Sequence, residues 1–326
     1  MKRMLSAFTI MMLAAVPAIA ESFREHTVAD DADWVVHLDF DRFRGTTVAE
    51  AIRNHIDESG KGAALTVFRN TFQIDPRRDF HGLTLYGPDR DEDNAILVLR
   101  TAYDRDALLA VLQSGEMYAR KTYDGRVLHR FEAKKHGPAA TGEDANDTEA
   151  WGCFYDSGTI VAGRSLNRVR QAIDVLDGRT ASLADTDNSV WDQIPNEAAF
   201  FAAGADLAGL GTIEHQQAAL LQQADGVVMT LDEENDMFSM QVQLAANSPE
   251  VGAKVYQVAQ GLVALLKLNA ANQPDQQWLK DVVQNIRVRQ DHATVSMSLE
   301  HHAADVARMI ETRLREQQSA DADKQK

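Results

Sequence analysis

The stretch of sequence that decides the fold is DWVVHLDF, residues 33–40. Its apolar side chains alternate with the period of a β-strand, in which successive residues point to opposite faces. One face would carry Trp34, Val36, Leu38 and Phe40, and the other Val35, His37 and Asp39. Shortly after this strand, Thr47 and Glu50 have the spacing of a capping box, which predicts the start of a helix.

Two more strands and a second helix are predicted in the first half of the chain. HGLTLYG (81–87) and NAILVLRT (94–101) read as strands joined by an acidic turn. The segment 103–114 reads as a helix with Asp104 as its N-cap. Hairpins follow, one of them turning at Asp124-Gly125, and Ser165 is the predicted N-cap of a third helix.

The second half repeats this order of elements. EAAFFAAGAD (197–206), DGVVMTLD (225–232) and MFSMQVQLA (237–245) are predicted strands. A long helix is predicted to begin after Ser248, with Pro249 in its first turn. A further hairpin and a helix complete this half.

Together these patterns predict an α+β protein of two tandem ferredoxin-like (split β-α-β) halves. Each half would have an antiparallel sheet covered by helices on one face. The first half is predicted at 21–186, with inserted hairpins and a mobile loop at 132–150, and the second at 187–316. Residues 317–326 form a polar stretch and are predicted to be a disordered tail.

The N-terminus, MKRMLSAFTIMMLAAVPAIA (1–20), has the three regions of a secretory signal peptide. Lys2 and Arg3 form the positive region, an apolar stretch follows, and Ala18-Ile19-Ala20 fits a cleavage site. An N-terminal anchor helix is the alternative. The signal peptide predicts a periplasmic or secreted protein with no membrane span after cleavage.

Charge and cysteine content exclude several classes of function. The formal net charge is −16, which disfavours nucleic acid as a partner because its phosphates would be repelled. Cys153 is the single cysteine, so the chain cannot form an internal disulfide. It lies in the apolar run WGCFY, which indicates a buried, inert thiol.

Two groups of residues were weighed as metal sites. Asp89, Asp91 and Asp93 have the first spacings of a calcium loop, but Asn94 and Arg100 stand where that loop needs Gly and Glu. A solvated hairpin turn is therefore favoured.

His301, His302 and Asp305 form the second group. Adjacent histidines on a helix point about 100° apart, which favours a solvated first turn of the last helix. No metal ligand and no cofactor is assigned.

No catalytic residue is assigned either. Ser165 lacks the final glycine of a nucleophile elbow, and the glycines of AGLG (208–211) lack the dinucleotide spacing. Asp39 and Asp41 remain as a pair of carboxylates for acid–base chemistry, which would require one of them to be buried.

The candidate binding residues come from two strands of the second half. These strands alternate between apolar residues and serine, threonine or glutamine, so each has one wet face. The candidates on that face are Gln241, Gln243, Thr294, Ser296 and Ser298. An ordinary solvated face is the alternative interpretation.

The strand ADWVVHLDFDRF, the hairpin LTLYG…AILVLRTAYD and the segment GTIVAGRSLNRVRQAIDVLDG carry a resemblance. In these motifs the chain resembles a class of uncharacterised exported bacterial proteins, across residues 30–312. The resemblance implies an envelope or secreted location and a duplicated α+β build. It brings no catalytic residues, because no activity is assigned to the class.

These observations favour a non-catalytic exported protein that binds or scaffolds an unknown protein or envelope component. Two alternatives stay open: an exported hydrolase with an unrecognised carboxylate or metal site, and a periplasmic carrier of a small molecule.

Overall fold

The structure is a computed structural model that describes residues 22–59, 62–134, 147–195, 197–205, 224–272 and 277–324. Its first seven strands are β1 (Trp34–Asp39), β2 (Phe80–Gly87), β3 (Ile96–Thr101), β4 (Ala119–Tyr123), β5 (Arg126–Lys134), β6 (Asp147–Phe154) and β7 (Thr159–Gly163). The helices among them are α1 (Phe40–Arg44), α2 (Thr47–Glu58), α3 (Gly62–Phe72), α4 (Arg105–Gln113) and α5 (Leu166–Leu176).

The second half contributes strands β8 (Phe200–Ala205), β9 (Ala224–Glu234), β10 (Met237–Ala246), β11 (Arg287–Asp291) and β12 (Thr294–His302). Its described helices are α6 (Pro249–Ala271), α7 (Gln277–Gln284) and α8 (Ala303–Lys324). The predicted signal peptide, residues 1–20, lies outside the described residues.

All twelve strands form one antiparallel sheet, in the order β11-β12-β10-β9-β8-β1-β2-β3-β7-β6-β5-β4. The two predicted sheets are therefore one, joined where β1 pairs with β8. The ferredoxin-like halves are not confirmed, because a split β-α-β unit places another strand between the two that its helix joins. Here β1 and β2, which α1 to α3 connect, lie side by side and antiparallel.

One row of paired residues crosses the whole sheet and distinguishes its two faces, since residues paired across antiparallel strands point to the same face. The row runs from β11 to β4 through Arg287, Ser298, Gln241, Thr230, Phe201, His37, Thr84, Val98, Val161, Cys153, Leu128 and Lys121. We call the face that carries this row the His37 face, and the other the opposite face.

The largest apolar core lies on the His37 face of the first half. Val169 and Ile173 of α5 belong to one buried cluster with Val98 and Val161 of the sheet. The segment after α5 joins this core, and its Leu183 N–H donates to the Val28 carbonyl at 2.8 Å. The more deeply buried side of β1 is accordingly the one that carries Val35, His37 and Asp39.

Helices also cover the opposite face. In the first half, Phe72 of α3 and Leu108 of α4 line an apolar cavity of about 150 Å³ above Phe154 and Ile160. In the second half, Val251 and Val255 of α6 pack against Leu244 and Val295.

The prediction of helices on one face is therefore wrong for the first half. Its strands β3 and β7 are apolar on both sides, with Leu97 and Leu99 alternating with Ile96 and Val98, for example. Such strands require a cover on each face.

Charged residues of the second half tie it to helices of the first half. The Arg42 Nε and Nη2 atoms donate to the two carboxylate oxygens of Asp232 at 2.7 and 2.5 Å. The Glu233 carboxylate accepts from the backbone N–H groups of Thr47 (2.7 Å) and Val48 (3.2 Å) at the start of α2. The acidic end of β9 therefore joins the two halves, because Glu233 caps a helix of the other half.

Several element boundaries confirm the sequence pattern, and others correct it. Asp104, Ser165 and Ser248 are N-caps as predicted. The cap of α2 is Thr46 and not Thr47, since the Thr46 hydroxyl accepts from the Ala49 N–H.

Two predicted unstructured segments are shorter than expected. The predicted loop 132–150 shrinks because Glu132 pairs with Glu149, and residues 135–146 lie outside the described residues. The prediction of a disordered tail at 317–326 is wrong for residues 317–324, because α8 continues to Lys324.

The cap formed by Glu233 leads to a test of stability. Glu233→Ala removes the acceptor of two N–H groups at the N-terminus of α2, so we expect the free energy of unfolding to fall by about 1–2 kcal/mol. Denaturant unfolding measures the change. Glu234→Ala, which alters an exposed neighbour at the end of the same strand, is the matched control, and an equal loss in both variants would contradict the cap.

Candidate functional site

The structure brings the predicted binding residues together on the His37 face of the second half. Gln241 lies opposite Ser298, Gln243 lies opposite Ser296, and Thr294 lies opposite Ala245 at the start of β12. All five predicted side chains are half-buried. We call Gln241, Gln243, Thr294, Ser296 and Ser298 the polar patch.

The polar patch continues to the sheet edge through two arginines that sequence reasoning missed. Arg287 pairs with Ser298 and Arg289 pairs with Ser296, so both guanidinium groups lie on the His37 face. Both residues are exposed. The sequence RVRQD could have indicated them, because its two arginines occupy alternate positions of a strand and so share one face.

A groove of about 270 Å³ opens at one corner of the polar patch. Its polar lining comes from Asn285, Arg287, Ser298, Glu300, His301 and His302. Guanidinium, amide and hydroxyl groups can donate to an anionic or carbonyl group, and the Glu300 carboxylate can accept from an N–H group. The corner is therefore suited to a ligand that presents both donors and acceptors, as a polypeptide does.

A larger groove of about 780 Å³ runs along α8 on the other side of the sheet. Several of its charged residues already pair with one another: Arg308 binds Asp305, and Arg313 Nη1 lies 3.0 Å from Glu316 Oε2. Because these charges are mutually neutralised, the larger groove is the weaker candidate despite its volume.

His301 and His302 were predicted to open the last helix. In the structure they end strand β12, and the helix begins at Ala303. His301 pairs with Phe238 on the opposite face, where its side chain is 11% exposed and Nδ1 lies 3.7 Å from Asp305 Oδ2. His302 pairs with Met237 on the His37 face and is exposed. Strand alternation therefore separates the two histidines, and the prediction of a jointly solvated pair is wrong for His301.

His37 is a buried titratable group at the centre of the sheet. Its ring stacks on Phe201 at 5.6 Å, and Nδ1 lies 2.9 Å from the Thr84 hydroxyl. Burial lowers the pKa of His37 to about 4, so the ring is neutral at physiological pH. Its position at the middle of the packed row gives it a structural role.

The carboxylates Asp39 and Asp41 both have structural partners. Asp39 caps α1 by accepting from the Arg42 N–H at 2.9 Å, and burial raises the pKa of this carboxyl. Asp41 binds Arg44 at 2.8 Å and lies 3.0 Å from Nδ1 of His81. His81 occupies a β-bulge of β2, so a bulge aims this histidine at a carboxylate.

The acidic turn at Asp89 is held by its own backbone and by Arg164, whose Nη1 lies 2.9 Å from Glu92 Oε2 and 3.2 Å from Asp93 Oδ1. The Asp89 carboxylate accepts from the Asp91 N–H at 2.8 Å, and the Asp91 carboxylate accepts from the Asp93 N–H at 3.0 Å. All three aspartates are exposed, which supports the interpretation of a solvated turn.

Cys153 is buried in the core as expected, and burial raises the pKa of its thiol. The AGLG segment lies outside the described residues.

Metal-binding clusters and membrane-spanning helices are both lacking among the residues that the structure describes. There, no three His, Cys, Asp or Glu side chains are grouped so that they could hold a metal ion. Within the same ranges, no helix combines the length and apolar character that crossing a bilayer requires.

Comparison with known proteins finds similarity in structure alone. No protein-family model and no curated protein matches the sequence. Crystal form III of TP0453 is similar with a TM-score of 0.49 and 9% identity, over 90% of this chain and 99% of that one. Crystal form I gives a TM-score of 0.47 and 10% identity, over 90% and 98%.

The lowered pKa of His37 predicts how stability depends on pH. The unfolded chain binds a proton near pH 6.5 and the folded chain only near pH 4, so stability is complete above pH 6.5 and is lost as the pH falls toward 4. The full loss amounts to about 3 kcal/mol.

Denaturant unfolding of the wild type and of His37→Phe at several pH values measures this effect. The variant keeps an aromatic ring beside Phe201, so we expect a much shallower loss of stability between pH 6.5 and 4. His292→Phe, at an exposed turn, is the control and should leave the wild-type slope unchanged. Parallel slopes for the wild type and His37→Phe would contradict the assignment.

Proposed function

We propose that this chain is an exported, non-catalytic protein of the bacterial cell envelope that binds a protein or another envelope component through the polar patch. The observation that carries the proposal is the change along one sheet face. On the His37 face, the row of paired residues is apolar and covered from Val98 to Leu128, but polar and half-exposed from Thr230 to Arg287.

The composition of the polar patch supports binding. Glutamine, serine and threonine each offer donors and acceptors, and Gln241, Gln243, Ser296 and Ser298 sit in facing pairs on a sheet held rigid by its ladder. Conformational cost at binding is lower for side chains on strands than for those on loops. The carboxylate and histidine clusters elsewhere in the described residues mostly pair locally, which weakens a catalytic assignment for them.

Export is proposed from the sequence of residues 1–20, which has the pattern of a signal peptide. The proposed location does not depend on a disulfide, because Cys153 is the single cysteine and is buried. The element order on the two sides of the β1–β8 pair supports the further proposal that the halves arose by duplication.

Photo-crosslinking in the native compartment tests the binding role. A benzophenone amino acid at Ser296 should give a discrete adduct, whereas the same group at the exposed Asn54 of α2 should not. Adding Gln241→Glu and Gln243→Glu to the Ser296 probe should lower the adduct yield by at least about fivefold. Equal yields from Ser296 and Asn54, or an adduct indifferent to the two glutamates, would contradict the proposal.

A second proposal, an exported hydrolase, is favoured by one observation. The Asp41 carboxylate holds Nδ1 of His81, an arrangement that orients an imidazole to act as a base through its other nitrogen. If this pair is catalytic, hydrolysis of chromogenic ester, phosphate or glycoside substrates should fall by at least about a hundredfold in His81→Ala. If the wild type hydrolyses none of these substrates, or if His81→Ala hydrolyses them as fast as the wild type, the hydrolase proposal is wrong.

The third possibility, a carrier of a small molecule, has less support. The apolar cavity under α3 and α4 measures about 150 Å³, below the 300–1,000 Å³ that is usual for pockets of drug-sized ligands.

A further inference from the structure

Strand β11 occupies one end of the sheet. Among the described residues it pairs only with β12, so its outer edge presents N–H and C=O groups without a strand beside them. An edge of this kind is a template onto which another extended chain can add by backbone hydrogen bonding.

Charge on the edge strands disfavours a second copy of this protein. Arg287 and Arg289 are both exposed on the His37 face. Antiparallel pairing of β11 with its counterpart sets Arg287 against Arg289 when it is centred on Val288. When it is centred on Arg289, the two copies of Arg289 face each other and Arg287 faces Asp291. On the other edge strand, β4, Lys121 lies on the same His37 face, so pairing β11 with β4 opposite Lys121 would also bring cations together. Like charges directly opposite each other destabilise a strand pair.

We infer that β11 binds an extended acidic peptide as a thirteenth strand, with acidic side chains at alternate positions opposite Arg287 and Arg289. This inference deepens the proposed binding function and rests on it, because the peptide would extend the polar patch past the edge of the sheet. Directly opposed side chains on adjacent strands lie about 4.5–5.5 Å apart at Cβ, within reach of an ion pair.

A groove beside β11 indicates which kind of peptide residue fits between the two acids. Between α6 and β11, on the opposite face, lies a groove of about 340 Å³ lined by Val263, Ala264, Ile286 and Val288, with Gln260 and Lys267. Side chains of an added strand alternate between faces, so the residue opposite Val288 would point toward this groove. An apolar side chain fits there, and the expected pattern is acidic, apolar, acidic.

The same geometry limits the length of the acidic pattern. Asp291 ends β11 and lies 2.6 Å from Nδ1 of His292, so a third acid opposite Asp291 would be repelled. The net charge of −16 opposes an acidic ligand at long range. Charges beyond about 8 Å are largely screened at physiological ionic strength, and the two arginines dominate near the edge.

Fluorescence anisotropy with short labelled peptides tests the inference. The probe is a fluorescein-labelled peptide with the central sequence Thr-Glu-Val-Glu-Thr, and the comparison peptide has lysine in place of both glutamates. The glutamate peptide should bind the wild-type protein, and the double variant Arg287→Glu/Arg289→Glu should bind it at least about tenfold more weakly.

Binding of the lysine peptide shows whether the double variant is still folded. The double variant should gain affinity for the lysine peptide, which a merely unfolded protein would not. Arg120→Glu/Lys121→Glu on the other edge strand is the matched control and should bind the glutamate peptide as the wild type does. Equal binding of both peptides by the wild type, loss of binding in the β4 control, or dimerisation through β11 in place of peptide binding would overturn the inference.

The outcome separates this inference from the proposed function. If the glutamate peptide fails to bind while the Ser296 crosslink forms, the edge inference is overturned and the polar patch keeps its role. If the peptide binds with the expected charge dependence while Ser296 gives no more adduct than Asn54, the edge inference holds and the polar patch loses its role.

Discussion

The whole architecture depends on one ladder of backbone hydrogen bonds, the antiparallel pairing of β1 with β8. Trp34 to Leu38 pair with Gly204 to Phe200, and all other strands are added outward from this seam. Because alternation is continuous across the seam, the side of β1 that carries His37 also fixes which side of β10 and β12 carries the polar patch. A slip of one residue in the seam would turn the second half over relative to the first, so that Gln241 and Ser298 would lie on the face opposite to His37. The seam therefore sets the face that the polar patch shares with the first half, whereas the packing of α6 on Leu244 and Val295 leaves the patch face of these strands open.

Acidic residues have two distinct uses in this chain, and their local sequence does not distinguish them. Asp89 and Asp91 satisfy N–H groups of their own turn, Asp93 lies 3.2 Å from Nη1 of Arg164, and all three remain exposed. The end of β9 is just as acidic, yet Asp232 binds Arg42 and Glu233 caps α2. Glu233 differs because it meets the start of α2, where orphan N–H groups attract an anion. Three-dimensional position determines which use applies.

Much of the local structure could be predicted from the sequence, because alternation and capping are local signals. The strands at 81–87 and 225–232, the caps at Asp104 and Ser248 and the clustering of the polar patch followed from spacing alone. The union of two sheets into one could not, since pairing residue 34 with residue 204 is a non-local choice among similar edges. Helix α3, GAALTVFRNTF, was missed because it has no capping signal of the kind that marks the other helices. Arg287 and Arg289 were overlooked because their importance comes from lying at an edge.

The seam also determines when the protein can finish folding. The partner of β1 lies some 160 residues further along the chain, so β1 stays an open edge for most of the time that the polypeptide is being synthesised. Contacts of such long sequence separation close late and slowly, because a large loop must be brought together first. Until β8 is delivered, DWVVHLDF is the segment most vulnerable to wrong pairing, and a helper that shields extended apolar strands would act there first.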